Sequence, residues 1–194
     1  YPDYFSYLLT GKKLTEYTNA STSGLLNAKT KNWDFGLIDR LGLKREILKD
    51  IHMPMTELGG FCKEVVGEVG FYSRVVLPAS HDTGSAVLAV PAKDDDFVYI
   101  SSGTWSLMGI ESQAPNLSIE CMKNGFTNEG GFDGRFRILK NIMGLWLIQE
   151  SRRQWIREGA DVSYADLERE ALACEPFKCF INPDEAILAT PGNM

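Results

Sequence analysis

The chain has 194 residues, of which 44% are hydrophobic and 24% charged, and its formal net charge is −6 at pH 7. This composition is ordinary for a globular protein, and the length allows one domain or two. The negative charge disfavours a general binder of nucleic acid or of anionic membranes, and no apolar run approaches the ~20 residues of a membrane span.

Four cysteines and two histidines are the side chains best suited to bind zinc. The cysteines are Cys62, Cys121, Cys174 and Cys179. Their irregular spacing suits neither a zinc site nor a disulfide scaffold. The N-terminus has no basic start and no small-residue cleavage site, so it predicts no signal peptide. We therefore expect free thiols in a reducing cytoplasm, and we assign no metal ligand to this chain.

The first part of the chain predicts short helices and strands that form scaffold. Residues 34–41 place apolar side chains at helical spacing after an Asp cap, and Gly42 ends the pattern. The other elements predicted before residue 78 are helices at 2–9, 19–27 and 44–49 and strands at 64–69 and 74–77.

A polar turn follows the apolar run at residues 75–78 and exposes His81, Asp82 and Thr83. A short helix is predicted from Gly84 to Val90. A carboxylate at a strand end can orient a hydroxyl and accept its proton. An Asp at this position also commonly caps a helix, and local sequence alone favours that interpretation.

A second polar turn, Ser101-Ser102-Gly103-Thr104, follows an apolar run predicted to be a buried strand at residues 97–100. Residues 105–110 predict the returning strand, which makes the turn a tight connection between antiparallel strands. Gly103 allows close approach and a positive φ, so the turn can present backbone N–H groups to an anion. An ordinary hairpin turn is the alternative. An acid together with an anion cradle suggests phosphoryl transfer.

The remaining chain predicts a half-buried strand at 135–139 and a turn at 128–131. The longest predicted helix covers 141–158, so Asn141 and Gln149 should lie about 12 Å apart on roughly one side of it. A capping box at residues 163–166 predicts a helix to about Cys174, and 178–181 predicts a strand. A charged turn at 93–96 places a domain boundary near residue 91.

Several segments, in order along the chain, resemble the FGGY family of sugar kinases. They are PDYFSYLLTGK at 2–12, EYTNAST at 16–22, ASHDTGSAV at 79–87, YISSGTWSLMG at 99–109, NEGG at 128–131 and RILKNIMGLWLIQE at 137–150. The resemblance implies an α/β, actin-like ATPase (ribonuclease H-like) fold. It also implies that residues 1–91 are the C-terminal part of a sugar-binding domain and residues 92–194 the N-terminal part of a nucleotide-binding domain.

The resemblance further implies ATP-dependent transfer of the γ-phosphate to the 1-hydroxyl of L-rhamnulose, with Mg²⁺ shared with the phosphates. By the same resemblance, Asp82 is the catalytic base, which reverses the local preference for a cap. The other implied site residues are His81, Thr83 and Asn141 for the sugar and Gly103, Thr104 and Gln149 for ATP.

Two alternatives stay open: an FGGY kinase of another ketose or polyol, and a non-catalytic sugar- or nucleotide-binding module. Two motifs of the family, a phosphate hairpin of Asp-Gly-Thr type and a Gly-Gly-rich adenosine loop, have no match in this sequence. We therefore expect a central piece of a longer kinase that is inactive alone, with the sugar, ATP and the remainder of the parent chain as its partners.

Overall fold

The computed structural model describes residues 1–192 and shows an α/β chain. Its α-helices within that range are α1 Pro2–Thr10, α2 Tyr17–Ala20, α3 Phe35–Arg40, α4 Lys63–Val69, α5 Asp82–Leu88, α6 Ile119–Lys123, α7 Trp146–Arg157 and α8 Tyr164–Ala173. Its strands are β1 Thr15–Glu16, β2 Leu26–Asn27, β3 Asn32–Trp33, β4 Ile51–His52, β5 Glu57–Gly60, β6 Arg74–Val76, β7 Val98–Ser101, β8 Trp105–Ser112, β9 Thr127–Gly130 and β10 Phe136–Met143.

The strands form one sheet of four strands and three pairs. The larger sheet has the order β7-β8-β10-β9. β1 pairs in parallel with β4, whereas β2 with β3 and β5 with β6 are antiparallel. β9 and β10 are antiparallel, with Glu129 directly opposite Arg137. No helix within residues 1–192 is long and apolar enough to cross a lipid bilayer.

The chain separates into two compact units. Unit 1 contains Tyr1–Tyr99 and Gly109–Lys140, and unit 2 contains Ile100–Met108 and the chain from Asn141 onward. Every buried apolar side chain among the described residues belongs to unit 1. These side chains are Leu14, Tyr17, Ala20, Ile38, Leu58, Leu77, Ala79, Val87, Tyr99, Cys121, Phe136, Ile138 and Leu139.

Local capping signals predicted several helices correctly. The helix predicted at 2–9 is α1, and Gly11 ends it in the left-handed conformation with φ 74°. α3 begins after Asp34, whose carboxylate accepts a hydrogen bond from the Leu37 N–H. The predicted capping box at Ser163 and Asp166 is confirmed at the start of α8. In each case the decisive contacts lie within a few residues along the chain.

Other predictions from local pattern were wrong. Residues 64–69 are valine-rich and predicted a strand, but they form α4, which Gly70 ends at φ 78°. Residues 19–27 and 44–49 were predicted as helices, yet α2 ends at Ala20 and only a 3₁₀ turn, Arg45–Ile47, forms in the second segment. The predicted turn at 128–131 is mostly β9, because it pairs with β10. Residues 178–181 form no strand; their apolar side chains are exposed.

Two predicted strands differ from expectation in burial. β7 is not buried on both faces, because Val98 and Ile100 are exposed and only Tyr99 between them is buried. The strand at 135–139 was expected to be half-buried, but all four residues of its segment 136–139 are buried. Arg137 therefore lies inside unit 1 among apolar neighbours.

We predict that amide hydrogen exchange will divide the chain along the two units. Opening free energies follow buried apolar contacts and protected hydrogen bonds. The amides of 136–139 should exchange at least about tenfold more slowly, relative to unstructured reference rates, than those of α8, which has no buried residue. Mass spectrometry of peptides after timed exchange measures this. Equal protection in the two segments would contradict the assignment of the core to unit 1.

Candidate functional site

A fully buried carboxylate, that of Glu16, organises the site in unit 1. Glu16 ends β1 and is the N-cap of α2. Its Oε1 accepts the Thr18 N–H at 2.8 Å, and its Oε2 accepts the Asn19 N–H at 3.0 Å and the Thr18 hydroxyl at 2.6 Å. A side-chain oxygen at the N-cap commonly accepts hydrogen bonds from the backbone N–H groups in the first turn of a helix. The sequence motif at 16–22 is therefore a capping structure built on a carboxylate.

The same carboxylate holds the segment that follows β6. Ser80 donates to Glu16 Oε2 from its backbone N–H at 3.2 Å and from its hydroxyl at 2.7 Å. The His81 N–H donates to the Thr18 hydroxyl oxygen at 3.2 Å. The backbone immediately before α5 is thus fixed against α2.

Burial shapes the ionisation of the groups around Glu16. Asp3 Oδ1 accepts the Glu16 N–H at 3.0 Å. Burial raises the pKa of the Asp3 carboxyl above its usual value despite this hydrogen bond, and the charge of Glu16 acts in the same direction as burial. Burial also raises the pKa of Tyr17 to about 12, with a further contribution from Glu16. Burial and the nearby charge of Glu16 therefore both favour the protonated forms of Asp3 and Tyr17.

Asp82 is the first residue of α5, and its side chain is 96% exposed. Its Oδ1 accepts the Thr83 N–H at 2.6 Å and lies 3.3 Å from the Thr83 hydroxyl. The N-cap residue of α5 is His81, which makes no side-chain cap bond. Asp82 is therefore not the N-cap that local sequence favoured, and its carboxylate is open to a ligand.

Thr83 lies beneath this carboxylate and is buried. Its hydroxyl faces Asp82 Oδ1, so within unit 1 its observed partner is the acid. The expected contact of Thr83 with a sugar stays a prediction.

His81 contacts a buried ion pair. Its Nδ1 lies 3.0 Å from Arg137 Nη2, which in turn lies 3.0 Å from Glu129 Oε2. Arg137 is fully buried, and its Nε and Nη2 donate to the Gly130 carbonyl at 3.2 and 3.1 Å. On the other side of the imidazole, Nε2 lies 3.8 Å from Asp82 Oδ1. Unit 1 thus links Glu129, Arg137, His81 and Asp82 in one polar chain.

Sequence reasoning missed Glu16, Glu129 and Arg137. The motif at 16–22 was noticed, but nothing local marks Glu16 as buried, since its partner Ser80 is 64 residues away. A signal for Arg137 was present: it interrupts an otherwise apolar strand segment, Phe136 to Leu139. A charge inside such a segment requires a buried partner, and Glu129 opposite it supplies one.

Unit 2 brings together the three residues expected to bind nucleotide. Gly103 and Thr104 belong to the three-residue connection between β7 and β8. Because the connection is so short, the two strands must be antiparallel. The Gly103 carbonyl accepts the Leu145 N–H at 2.9 Å, and the Thr104 carbonyl accepts the Trp146 N–H at 3.0 Å. Gln149 Nε2 lies 3.3 Å from the Thr104 hydroxyl. The turn is therefore anchored to the start of α7.

Two details of this turn differ from expectation. Gly103 does not adopt a positive φ. A Cβ at this position would instead lie 3.1 Å from the Trp105 carbonyl oxygen, so the requirement is for space. Gly144 is more constrained, because a Cβ there would lie 2.5 Å from the Gly103 carbonyl oxygen.

Asn141 does not lie on the long helix. It is an exposed residue of β10, which continues to Met143, and α7 begins only at Trp146. The expected 12 Å spacing of Asn141 and Gln149 along one helix is therefore wrong. The apolar sequence from 142 to 148 concealed the change from strand to helix. Among residues 1–192, no group of three or more Asp, Glu, His or Cys side chains is arranged to hold a metal ion.

Family models and curated relatives both match this chain. The model of the N-terminal domain of the FGGY family of carbohydrate kinases matches residues 1–89, and that of the C-terminal domain matches residues 98–194. Proteins named rhamnulokinase are 47% identical over 193 residues in Oceanobacillus iheyensis, 47% over 194 in Bacteroides thetaiotaomicron and 41% over 194 in Bacillus subtilis. Each match covers the whole chain, which spans about 40% of the length of these relatives.

Solved structures share the fold. A ligand-bound xylulose kinase from Lactobacillus acidophilus has a TM-score of 0.73 and 24% identity, and a gluconate kinase from the same organism has a TM-score of 0.71 and 24% identity. Each covers 90% of this chain, and the chain covers 35% of each. The predicted α/β, actin-like ATPase fold is confirmed.

We predict that Glu16→Ala lowers the free energy of unfolding by about 3 kcal/mol or more, because each buried donor left without an acceptor costs roughly 1–3 kcal/mol. Glu16→Gln keeps one acceptor oxygen and should lie between this variant and the native chain. Urea unfolding followed by circular dichroism measures both.

The matched control for Glu16 is Glu68→Gln, which alters an exposed carboxylate on α4. This control should change the unfolding free energy by less than about 0.5 kcal/mol. A similarly small effect for Glu16→Ala would show that the carboxylate does not hold the two segments together.

Proposed function

Because the chain belongs to the FGGY family of carbohydrate kinases, we propose that it serves as the central part of an enzyme that phosphorylates the 1-hydroxyl of L-rhamnulose with ATP. Identity of 47% to proteins named rhamnulokinase supports this sugar. The observation that carries the chemistry is the exposed carboxylate of Asp82, held in place from below by Thr83.

Asp82 acts as the general base. As the 1-oxygen of the ketose attacks the γ-phosphorus, a new O–P bond forms, and the bond between the γ-phosphorus and the departing ADP oxygen breaks. The proton of the 1-hydroxyl passes to the Asp82 carboxylate. Because positioning and charge stabilisation supply most of phosphoryl-transfer catalysis, the rigid backbone before α5 is as important as the acid itself.

The sugar is bound by the polar residues next to Asp82. His81 presents its imidazole edge beside the acid, with Nε2 at 3.8 Å from Asp82 Oδ1. Thr83 keeps the carboxylate oriented by its backbone N–H. The expected sugar contact of Asn141, an exposed residue of β10 in unit 2, stays a prediction.

The nucleotide is bound by the turn of unit 2. Gly103, where a Cβ would lie 3.1 Å from the Trp105 carbonyl oxygen, keeps the turn tight, and the Thr104 hydroxyl and the Gln149 amide offer hydrogen bonds. Mg²⁺ has no ligand cluster among residues 1–192, so we assign none of its coordination to this chain. When bound with ATP, Mg²⁺ supplies charge neutralisation of the phosphates.

In sequence, the two domains divide near residue 91, with residues 1–91 from the sugar-binding domain and 92–194 from the nucleotide-binding domain; the compact units divide differently, because residues 92–99 and 109–140 belong to unit 1. The interval between the two family matches, 90–97, supports this boundary. The four free cysteines support a reducing compartment, and we place the enzyme in the cytoplasm.

The kinase that contains this chain should prefer L-rhamnulose, by kcat/KM, over other ketoses and polyols in a coupled ADP-release assay. Asp82→Asn should lower kcat by at least about 10²-fold while the sugar KM changes little, because it removes the base but keeps the shape of the side chain. Steady-state kinetics of both proteins on a panel of sugars measures this.

The control for the acid is Asp94→Asn, an exposed carboxylate in the charged turn before β7, which should turn over normally. Near-native turnover by Asp82→Asn would show that Asp82 is not the general base. A clear preference for another ketose or polyol would change the assigned substrate but leave the kinase assignment intact. Absence of turnover on every sugar tested would favour a non-catalytic binding module.

In the same kinase, Thr104→Val should raise the KM for ATP by roughly 3- to 10-fold, as expected for one lost hydrogen bond. Valine keeps the shape of threonine but removes the hydroxyl that faces Gln149. The sugar KM should not change. Thr22→Val, at an exposed threonine of unit 1, is the control. A change in the sugar KM with the ATP KM unaltered would show that the turn contacts the sugar and not the nucleotide.

A further inference from the structure

The guanidinium of Arg137 is held rigidly inside unit 1. Two of its nitrogens donate to the Gly130 carbonyl, and Nη2 contacts Glu129 Oε2 at 3.0 Å. It also packs beneath the first turn of α5, since a Cβ on Gly84 would lie 3.6 Å from Arg137 Cζ. These contacts come from β9 and α5, while Arg137 itself belongs to β10, so the group has little freedom to move.

A rigid guanidinium dictates the proton position on His81. Arginine has only N–H donors and no acceptor. The 3.0 Å contact between Arg137 Nη2 and His81 Nδ1 therefore requires a lone pair on Nδ1. A neutral imidazole with a lone pair on Nδ1 carries its proton on Nε2, and Nε2 is the nitrogen that faces Asp82.

We propose that Arg137, held by Glu129, is a positioning residue that selects the Nε2-protonated tautomer of the His81 imidazole, whose Nδ1 lies 3.0 Å from Arg137 Nη2 and 3.8 Å from Glu129 Oε2. His81 then offers a hydrogen-bond donor, and not an acceptor, beside the Asp82 carboxylate. Resting on the proposed function, this assigns the ligand chemistry of the pair. Asp82 accepts from the reacting hydroxyl, while His81 donates to the oxygen on the neighbouring carbon.

The 3.8 Å gap between His81 Nε2 and Asp82 Oδ1 fits this division of roles. It is too long for a direct hydrogen bond, so the donor is not consumed by the acid. A donor and an acceptor side by side match two adjacent sugar oxygens, one of which gives a proton and one of which accepts. An α-hydroxyketone, or the ring form derived from it, carries such a pair.

The ion pair is poorly explained as a stabilising device alone. Arg137 Nη1 and Glu129 Oε2 are buried without a hydrogen-bond partner, although Oε2 lies within ion-pair distance of Nη2. A buried ion pair with incomplete hydrogen bonding contributes little net stability compared with apolar side chains. Control of the imidazole gives a reason for a charge in the strand segment 136–139.

Nuclear magnetic resonance tests the proposal without any catalytic assay. The chain has two histidines, so long-range ¹H–¹⁵N spectra of the ¹⁵N-labelled 194-residue chain resolve His81, with the half-buried His52 as an internal reference. In mildly alkaline buffer, where a free imidazole is neutral, His81 should show the limiting shifts of the single Nε2-protonated form. The double variant Glu129→Gln/Arg137→Met removes both charges together, and His81 should then show averaged shifts like those of free imidazole. His52 should not change.

Averaged shifts for His81 in the native chain, an Nδ1-protonated form, or an unchanged single form in the double variant would each overturn the proposal. Because these readouts do not involve turnover, an inactive kinase with a locked His81 would contradict only the proposed function. An active kinase with an unlocked His81 would contradict only this inference.

A second pair of variants applies should the double variant fail to fold. His81→Gln can keep a hydrogen-bond donor near the Nε2 position. His81→Asn can keep an acceptor near the Nδ1 position, but its side chain is too short to place a donor near the Nε2 position. In the kinase, the sugar KM of His81→Asn should exceed that of His81→Gln by about 10-fold, the value of one hydrogen bond. Equal constants, or a lower one for Asn, would overturn the donor role.

Discussion

A carboxylate can remain charged inside a protein only where hydrogen-bond donors replace the water that it loses, and the structure around Glu16 meets this condition with five of them. Three come from α2 and two from Ser80 after β6. Because the carboxylate accepts from both sets, separating the two segments would break the two hydrogen bonds that Ser80 donates to it. The backbone of His81, the start of α5 and the direction of the Asp82 side chain all depend on this requirement.

The two buried charges near Asp82 are compensated in different ways. Glu16 is satisfied mainly by backbone and hydroxyl donors, which makes it a structural joint. Arg137 is compensated by one carboxylate and one carbonyl, and retains an unpaired Nη1. Asp82, in contrast, stays hydrated at the surface and pays little desolvation cost, which suits a group that must meet a ligand. The two charges that hold the structure are therefore buried here, and the carboxylate that we propose as the base is exposed.

Features that depend on residues close together in the sequence were predicted, whereas most features that depend on residues far apart in the sequence were not. The polar turn at Asp82 and the helix after it follow from the small and polar residues that come after an apolar run. The role of Asp82 as a base was expected from the family resemblance alone. Glu16 was not predicted, because its partner Ser80 is 64 residues away and no local pattern reports the contact. Arg137 was not predicted either, although a charge within an apolar strand segment is a local signal; its contact with His81, 56 residues away, has no such signal. Asn141 was misplaced for a related reason: an apolar run fits a buried strand and a helix equally well. The strand predicted at 64–69 failed because valine content is weaker evidence than a glycine that ends a helix.

The contact between Glu16 and Ser80 also has a consequence during synthesis. Ribosomes add about 5–20 residues per second, so Ser80 follows Glu16, 64 residues earlier, by roughly 3 to 13 seconds. For that interval the nascent chain has a carboxylate whose later partners do not yet exist, and water must solvate it. The joint between α2 and the segment after β6 can therefore close only once residue 80 has been added to the chain.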